Sequence, residues 1–316
     1  MIYKERTMPK KLIGQAALMR RLHPDHAKYQ PLRESYRNSK AGFGGEQDFD
    51  KHMKEFKPHY PYAILHDICL KQEGIYFQMD SILITPAFIY IFEVKNFGGK
   101  ILIKSKPTQF IRELPTGERK VMNSPIVELE RKQFLLTNWL AERKIQLPVK
   151  TLVAFAFTNE LMMEEELETK ILFTNEVPNH LRTIPVENEL INKDEIQRLA
   201  ISLRNHHQEY DPFPMIETLS LSRDDMLPGV ICPSCGFREM KWTQKKWQCP
   251  HCNYASTACH LDTLADWNCL VSKRITNSEF RNFACVESSH IAKRLLQGSG
   301  LSKKGERRGA HYVLEE

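Results

Sequence analysis

Three polar residues stand out in the apolar stretch QMDSILITPAFIYIFEVKNFGG. Asp80 lies early in one strand-like run, and Glu93 and Lys95 lie at the end of the next run. Successive side chains of a strand alternate between its two faces, so Glu93 and Lys95 share one side. If the two runs pair through the short turn between them, Asp80 and Glu93 meet at one edge of a sheet. The pattern therefore predicts two carboxylates and one ammonium group close together.

This set of groups suits hydrolysis of a phosphodiester bond. That reaction needs an activated water and neutralisation of the charge that develops on the phosphate oxygens. Two carboxylates can hold Mg²⁺ or Mn²⁺ through oxygen ligands, and the bound cation lowers the pKa of its water and polarises the phosphate. A nearby lysine can orient the water or offset the developing charge. Glu-Val-Lys also occurs by chance in edge strands, so the motif alone is a weak signal.

Two Cys-x₂-Cys pairs form a second candidate site. Cys232 and Cys235 precede Cys249 and Cys252, with thirteen residues between the pairs. In a reducing compartment such pairs indicate metal binding before disulfide formation. Four thiolates can surround Zn²⁺ as a tetrahedron and leave no open position for catalysis. We therefore predict a structural zinc ribbon.

The residues around this ribbon can be interpreted in two ways. Trp242 and Trp247 lie among lysines, a pattern that suits stacking on bases and pairing with phosphates. They could equally form the small core of the ribbon. Cys259, Cys269 and Cys285 have a spacing that fits no second knuckle, and we expect them to be buried free thiols.

Hydrophobic periodicity predicts the elements that must position these residues. Residues 43–206 alternate apolar strand-like runs with amphipathic segments, which is typical of an α/β domain. We predict helices over 45–56, 126–140 and 193–204, and strands over 62–70, 75–85, 88–94, 100–104 and 151–157. The other predicted segments are a basic amino-terminal segment (1–42), a linker (207–229), the zinc ribbon (230–258) and a small carboxyl-terminal module (259–316).

The pattern Asp80…Glu93-Val94-Lys95 resembles the PD-(D/E)XK nuclease motif. With GGEQDFDKHM, HDICL and FQMDSILITPAFIYIFEVKNFGGKI around it, the chain over 43–140 resembles the nuclease-related domain (NERD) of bacterial proteins. The resemblance implies a restriction-endonuclease-like α/β core, in which helices flank a mixed sheet.

The same resemblance implies the composition of the active site. Glu46 is the helix carboxylate that joins Asp80 and Glu93 as a ligand of Mg²⁺ or Mn²⁺, and Lys95 is the catalytic lysine. Gln78 occupies the position before the ligand strand where the family also tends to carry Gln. An acid at position 46 also suits the first turn of a helix without any ligand, because it interacts favourably with the helix dipole.

One segment departs from the family pattern. The family often has Asn-Pro, two residues and then Gln on the helix after the strands, whereas this chain reads NSPIVE over 123–128. Glu128, at the position of the Gln, either adds charge to the metal cluster or faces solvent.

The chain over 275–314 resembles a winged helix-turn-helix. Thr276 or Asn277 can cap one helix and Ser289 a second, and a strand, a basic glycine turn and another strand follow. In that family the second helix enters the DNA major groove and the hairpin contacts the backbone. The residues that the resemblance assigns to DNA are His290, Lys293 and Arg294 on the helix and Lys303, Lys304, Arg307 and Arg308 on the wing. The alternative is a helical cap that packs on the ribbon.

The composition is that of an ordinary globular protein. Apolar residues make up 41% and charged residues 27%, which excludes a fibrous, mostly disordered or disulfide-scaffold chain. The longest apolar stretch is too short to cross a bilayer and the first residues lack the apolar core of a secretion signal, so we expect a soluble cytoplasmic protein with no membrane partner. The net charge is +6, and residues 1–40 hold ten Lys/Arg against three acids, which is compatible with a polyanionic partner.

The leading hypothesis is a metal-dependent nuclease that hydrolyses phosphodiester bonds in nucleic acid, with DNA the expected form. The alternative is a non-catalytic DNA-binding or regulatory protein built on a degenerate nuclease fold, and a third hypothesis is a protein–protein adaptor. The sequence contains no Gly-x₄-Gly-Lys-Ser/Thr loop, which argues against ATP-driven motor work. It leaves open the oligomeric state and the choice between endonuclease and exonuclease.

Overall fold

The structure, a computed structural model, describes residues 1–105, 108–157, 159–163 and 168–314. The chain divides into two compact units. The first unit comprises Met1–Thr7 and Asn38–Glu209, and the second comprises Met8–Arg37 and Tyr210–Glu316. Each unit has its own hydrophobic core. The five segments predicted from composition stay a prediction.

The helices of the described residues are α1 (Lys10–Arg21), α2 (Tyr29–Met53), α3 (Pro125–Glu142), α4 (Val177–Thr183), α5 (Lys193–Asn205), α6 (Met215–Thr218), α7 (Cys259–Leu270), α8 (Asn277–Ala284) and α9 (Ser289–Gly298). The strands are β1 (Ile2–Lys4), β2 (Ala63–Gln72), β3 (Ile75–Ile84), β4 (Ile89–Lys95), β5 (Lys100–Ser105), β6 (Thr108–Glu113), β7 (Arg119–Met122), β8 (Val149–Phe155), β9 (Glu160–Met163), β10 (Lys170–Phe173), β11 (Lys241–Thr243), β12 (Lys246–Gln248), β13 (Ala255–Ser256), β14 (Arg274–Ile275), β15 (Ser302–Lys304) and β16 (His311–Val313).

The first unit is built on a mixed sheet of order β1-β2-β3-β4-β8-β10. β2, β3 and β4 are antiparallel neighbours, whereas β1 pairs with β2, β8 with β4 and β10 with β8 in parallel. Helices α3 and α5 share one core with this sheet, and α2 and α4 share another core with it. This arrangement confirms the predicted α/β architecture of a mixed sheet flanked by helices.

The alternation of side chains explains how one sheet serves two cores. Ile82 and Ile91 belong to the core that α3 and α5 cover, and Leu83 and Phe92 belong to the core that α2 and α4 cover. Because both faces are buried, the strands read as continuous apolar runs rather than as a polar–apolar alternation. The same alternation places Glu93, two residues after Ile91, on the α3 face, where it contacts Lys132.

A second sheet in this unit has the order β7-β6-β5-β9. β5, β6 and β7 are antiparallel, and β9 pairs with β5 in parallel. Periodicity predicts only β5 of this sheet, because the other strands are short and mostly half-buried or exposed.

The second unit packs α1 and α6–α9 around a core that includes Leu18, Trp267, Phe280 and Leu296. Met215 and Met226, within the segment predicted as a linker, are buried in this core. Strands β11-β12-β13 form an antiparallel sheet beside the cysteine pairs. No helix of the described residues combines the length and the apolarity needed to span a bilayer.

The end of the second unit runs α7, β14, α8, α9, β15 and β16, and its strands form an antiparallel sheet of order β14-β16-β15. Thr276 caps α8 through a reciprocal capping box with Glu279. Ser288, rather than Ser289, caps α9, because the Ser288 side chain accepts the backbone N–H of Ile291. The predicted pair of helices followed by a hairpin is therefore present, with β14 as an additional strand.

Candidate active site

The two central carboxylates lie on neighbouring antiparallel strands. The register pairs Ser81 of β3 with Phe92 of β4, and Asp80 and Glu93 are the next residues beyond that pair. Asp80 also accepts the backbone N–H of Val94 at its Oδ2 atom, at 2.8 Å. Its carboxyl group is therefore tied to the strand that carries Glu93.

Glu93 is buried within a ring of alternating charges. Its Oε1 atom lies 2.6 Å from Lys95 Nζ, and its Oε2 atom lies 2.5 Å from Lys132 Nζ on α3. Glu128, one helical turn before Lys132, lies 3.2 Å from Lys95 and 3.3 Å from Lys132. Of the two alternatives for Glu128, the structure shows the one in which its charge joins the cluster.

Burial and charge shift the pKa values in this ring. Burial, together with the Asp80 carboxylate, raises the pKa of Glu93 to about 7, against the opposing effect of the two lysines. Burial alone would lower the pKa values of Lys95 and Lys132, but the neighbouring carboxylates, Glu93 first, outweigh it and raise both. Burial likewise acts to raise the pKa of Glu128, and the two lysines lower it overall. Both ammonium groups therefore stay charged at neutral pH.

Glu46 lies at this end of the sheet because α2, at Gly45, packs closely against the residue that follows β4. A Cβ atom at Gly45 would lie 2.6 Å from Cβ of Asn96, which follows β4. The Asn96 side chain in turn donates to the carbonyl of Ala41, at 2.6 Å. The helix predicted over 45–56 corresponds to the last third of α2, which begins earlier than predicted and ends at Met53, and its glycine permits this contact.

The Glu46 carboxylate is bonded to Arg6, with 2.8 Å between Oε2 and Nη1. Burial and the nearby Asp80 raise the pKa of Glu46 to about 7, although Arg6 acts in the opposite direction. Among the described residues, only the four cysteines have ligand atoms all within 4.8 Å of one another. Glu46, Asp80 and Glu93 would therefore have to move closer together to share one ion.

Gln78 is exposed, and it is connected to a different acid. Its Nε2 atom donates to Oδ1 of Asp67, at 2.6 Å. Asp67 lies where the β2–β3 register omits a pair, between His66–Ser81 and Ile68–Met79, and its φ is positive. The described contact of Gln78 is therefore with Asp67 rather than directly with Asp80 or Glu93.

The donor set fits a hard divalent cation. Mg²⁺ and Mn²⁺ prefer carboxylate oxygens, and Asp80, Glu93 and Glu46 supply them. Asp80 raises the pKa values of both glutamates, so the acids repel one another and a cation between them would relieve that repulsion. The chain therefore offers the ligand chemistry that the resemblance implies.

The comparison with protein families decides what kind of domain carries this site. Residues 41–156 match the family model of the nuclease-related domain. This part of the chain is a nuclease-related domain. The searches of curated proteins and of solved structures found no match. The matched region includes the carboxylate–lysine cluster and leaves out the cysteine pairs.

Sequence reasoning missed several polar residues in and around the nuclease-related domain. Lys132 could have been found from its spacing to Glu128, because residues four apart on a helix are neighbours. Arg6 and His66 gave no local signal, since each acts on residues far away in the chain. The Arg6 contacts are described further below.

The four cysteines of the two Cys-x₂-Cys pairs form one cluster. The Sγ atoms of Cys232 and Cys252 are 3.6 Å apart, as are those of Cys235 and Cys249. Tetrahedral zinc with Zn–S bonds of about 2.3 Å requires sulfur–sulfur distances of about 3.8 Å. The cluster therefore fits a four-cysteine zinc site, as the spacing predicted.

The surroundings of the cluster are those of a ribbon. Gly236 donates its backbone N–H to Cys232, and Asn253 donates to Cys249, and both have positive φ. Trp247 is buried and packs edge-on against the partly buried Trp242. Of the two alternatives for the tryptophans, the structure shows the one in which they belong to the core.

The other cysteines and the predicted DNA contacts are mostly as expected in exposure. Cys259 and Cys269 are buried, whereas Cys285 is exposed, contrary to expectation, because it ends α8 in a left-handed conformation. Of the residues that the resemblance assigns to DNA, those with exposed side chains are His290, Lys293 and Arg294 on α9, Lys303 and Lys304 on β15, and Arg307. Lys303 and Lys304 lie in the strand itself rather than in the turn. The side chain of Arg308 lies outside the described part of the structure.

Proposed function

We propose that this protein is a metal-dependent nuclease that hydrolyses phosphodiester bonds in nucleic acid, with DNA as the substrate. The observation that carries the proposal is that Asp80 accepts the backbone N–H of Val94, next to Glu93, and that Lys95 Nζ lies 2.6 Å from Glu93, inside a nuclease-related domain. A structural zinc ion in the cysteine cluster completes the proposed metal content.

The residues of the site have separate tasks in this proposal. Asp80 and Glu93 hold a divalent cation, with Glu46 as a third ligand. Mg²⁺ or Mn²⁺ would supply an acidified water and polarise the phosphate. Lys95 stays protonated and offsets the charge that develops on the phosphate oxygens. Glu128 keeps the Lys95 ammonium in place, with 3.2 Å between the two groups.

Substrate binding is proposed for the second unit. Its carboxyl-terminal part has the order of helices and strands that a winged helix-turn-helix requires, and α9 carries exposed Lys293 and Arg294. In this proposal α9 contacts the DNA groove, and the cations Lys303, Lys304, Arg307 and Arg308 contact phosphates. Such phosphate contacts supply affinity that does not depend on sequence and weakens with salt.

The test is cleavage of labelled DNA by the zinc-loaded protein with Mg²⁺ or Mn²⁺. We expect Asp80→Asn and Lys95→Met each to lower the rate by roughly 10²–10³-fold, which is typical for loss of a group that stabilises transition-state charge. The matched control is Arg119→Gln, which removes an exposed ion pair on β7 and should cut like wild type. Equal cutting by wild type and both site variants would contradict the proposal.

A second candidate function is DNA binding by a nuclease fold without catalysis. One observation favours it: both oxygens of Glu93 are bonded to ammonium groups, whose positive charges would repel a bound cation. In that case the protein would bind DNA in a salt-sensitive manner, cut it under no metal condition, and bind equally well after Glu93→Gln. Binding isotherms measured beside the cleavage assay separate the two functions.

A further inference from the structure

The guanidinium group of Arg6 is buried against acids of α2. Its Nη1 atom lies 2.8 Å from Oε2 of Glu46. Its Nε and Nη2 atoms bind the two carboxylate oxygens of Asp50, at 2.8 and 3.1 Å. A planar guanidinium that grips one carboxylate with two parallel bonds has its orientation fixed, and the remaining donors then point in defined directions.

The Nη2 atom also donates to the strand that carries Asp80. Arg6 Nη2 lies 2.8 Å from the main-chain oxygen of Asp80 and 3.0 Å from Oγ of Ser81. The same guanidinium thus holds the carboxyl group of Glu46 and the backbone of Asp80. Asp80 is also one of the acids that raise the pKa of Glu46.

Other buried groups hold Arg6 and its partners in this arrangement. His66 Nδ1 lies 3.1 Å from Asp50 and 2.8 Å from Ser81 Oγ, so His66 contacts two of the four residues that Arg6 binds. Two residues earlier, Lys4 donates to the main-chain oxygens of His66 and Asp67. β1 adds a parallel strand beside β2, which places Arg6 at this end of the sheet.

We propose that Arg6 is the positioning residue of the carboxylate site, which fixes the Glu46 side chain and the Asp80 main chain so that both acids face one divalent cation. This inference rests on the proposed function, because it concerns the same site. Without the guanidinium, the repulsion between Glu46 and Asp80 is opposed by fewer contacts, and the Glu46 carboxylate is free to turn away. Removal of a partner that orients a metal ligand typically weakens metal binding 10–100-fold.

The test is a Mn²⁺-binding titration of the zinc-loaded protein, in which electron paramagnetic resonance measures the free Mn²⁺. We expect Arg6→Gln to raise the dissociation constant for Mn²⁺ by about 10–100-fold. Arg6→Lys keeps the positive charge but lacks the two parallel donors of the guanidinium. Its Mn²⁺ affinity should therefore lie between those of Arg6→Gln and wild type. Asp50→Asn loosens the grip on Arg6 and leaves Glu46 and Asp80 unchanged, so it should weaken binding by a smaller factor. The control is Arg119→Gln, with wild-type affinity expected.

The outcomes separate this inference from the proposed function. If Arg6→Gln or Asp50→Asn lowers the melting temperature and binds Mn²⁺ as tightly as wild type, Arg6 is only structural and the inference is overturned. If Arg6→Gln does not fold, Asp50→Asn decides by the same criterion. Weaker Mn²⁺ binding in the variants supports the inference even where wild type cuts no DNA, a result that would end the proposed function alone. A wild-type protein that binds no Mn²⁺ overturns both.

Discussion

The carboxylate–lysine cluster of the first unit and the cysteine cluster of the second unit both gather metal-ligand side chains, but they balance charge differently. Glu93 has an ammonium group on each oxygen, and Glu46 has a guanidinium, so the chain itself supplies the counter-charges. The four sulfur atoms have one another as neighbours, at 3.6 Å within each facing pair. A cation bound at the first cluster would join positive charges that are already present, whereas a cation bound at the second would lie among four sulfur ligands.

This difference assigns different roles to the two proposed metals. The carboxylate cluster lies on strands that are buried on both faces, so its position is set by the core and not by an ion. The ribbon strands β11–β13 are two or three residues long and bury little apart from Trp247. We therefore expect loss of zinc to affect folding, and loss of Mg²⁺ to affect activity alone.

The largest expected effect is on the cysteine cluster. Cys232→Ser, or removal of zinc by a chelator, should unfold the ribbon, because zinc contributes on the order of 10 kcal/mol to small four-ligand sites. Metal analysis and thermal unfolding should show loss of zinc and of the second unit's transition, while the first unit unfolds as before. Cys285→Ser, outside the cluster, is the control. Full stability of Cys232→Ser without zinc would remove the distinction between the two clusters.

The next effect is on the charge ring around Glu93. Lys132→Met leaves one oxygen of a buried carboxylate without its ammonium partner, and breaking a buried pair typically costs about 3–5 kcal/mol. Urea unfolding at neutral pH measures this loss. Lys100→Met, which breaks an exposed pair with Glu160, should lower the free energy of unfolding far less, because solvent screens an exposed ion pair. Similar losses in both variants would show that the ring does not balance the Glu93 charge.

A pH effect is expected from His66 in the same polar network. Burial lowers the pKa of His66 to about 4, although Asp50 acts in the opposite direction. Folding favours the neutral form of His66. The free energy of unfolding therefore has its full value above pH 6.5 and decreases as the pH falls from 6.5 to 4. The loss amounts to about 3 kcal/mol. The free energy of unfolding of wild type should therefore fall more steeply over this range than that of His66→Gln, and parallel curves would contradict the prediction.

The smallest effect is expected at the surface of the second unit. Lys303→Ala removes one proposed phosphate contact, so DNA affinity should fall a few-fold. The slope of log K against log salt should become shallower by about 0.9. Fluorescence anisotropy at several salt concentrations measures both quantities. Lys273→Ala, on the loop before β14, is the control, and an unchanged slope in Lys303→Ala would place the DNA elsewhere.

The sequence allowed prediction of the parts of the first unit that repeat locally. Continuous apolar runs predict strands β2 to β4, and the pairing of β3 with β4 brings Asp80 and Glu93 onto neighbouring strands. The helix over 126–140 was predicted because its apolar spacing is regular, and Ser124 caps it. The cysteine spacing predicted the ribbon for the same reason, since its ligands lie close together in the chain.

The remainder could not be predicted because it depends on pairings over long distances. β1 is three residues long and is a strand only because it pairs with β2, about sixty residues later in the chain. Arg6 follows it, and its contacts with Glu46 and Asp80 have no local pattern. Lys132 lies on the apolar side of α3, where a lysine is expected only if a buried acid such as Glu93 faces it.

The most direct test of the central claim is a crystal structure of the zinc-loaded protein soaked in Mn²⁺, with anomalous scattering used to locate the ion. The account predicts a manganese peak bound by oxygens of both Asp80 and Glu93, with at least one of the two lysines displaced from Glu93. A manganese ion bound elsewhere, with Glu93 still bonded to Lys95 and Lys132, would contradict it.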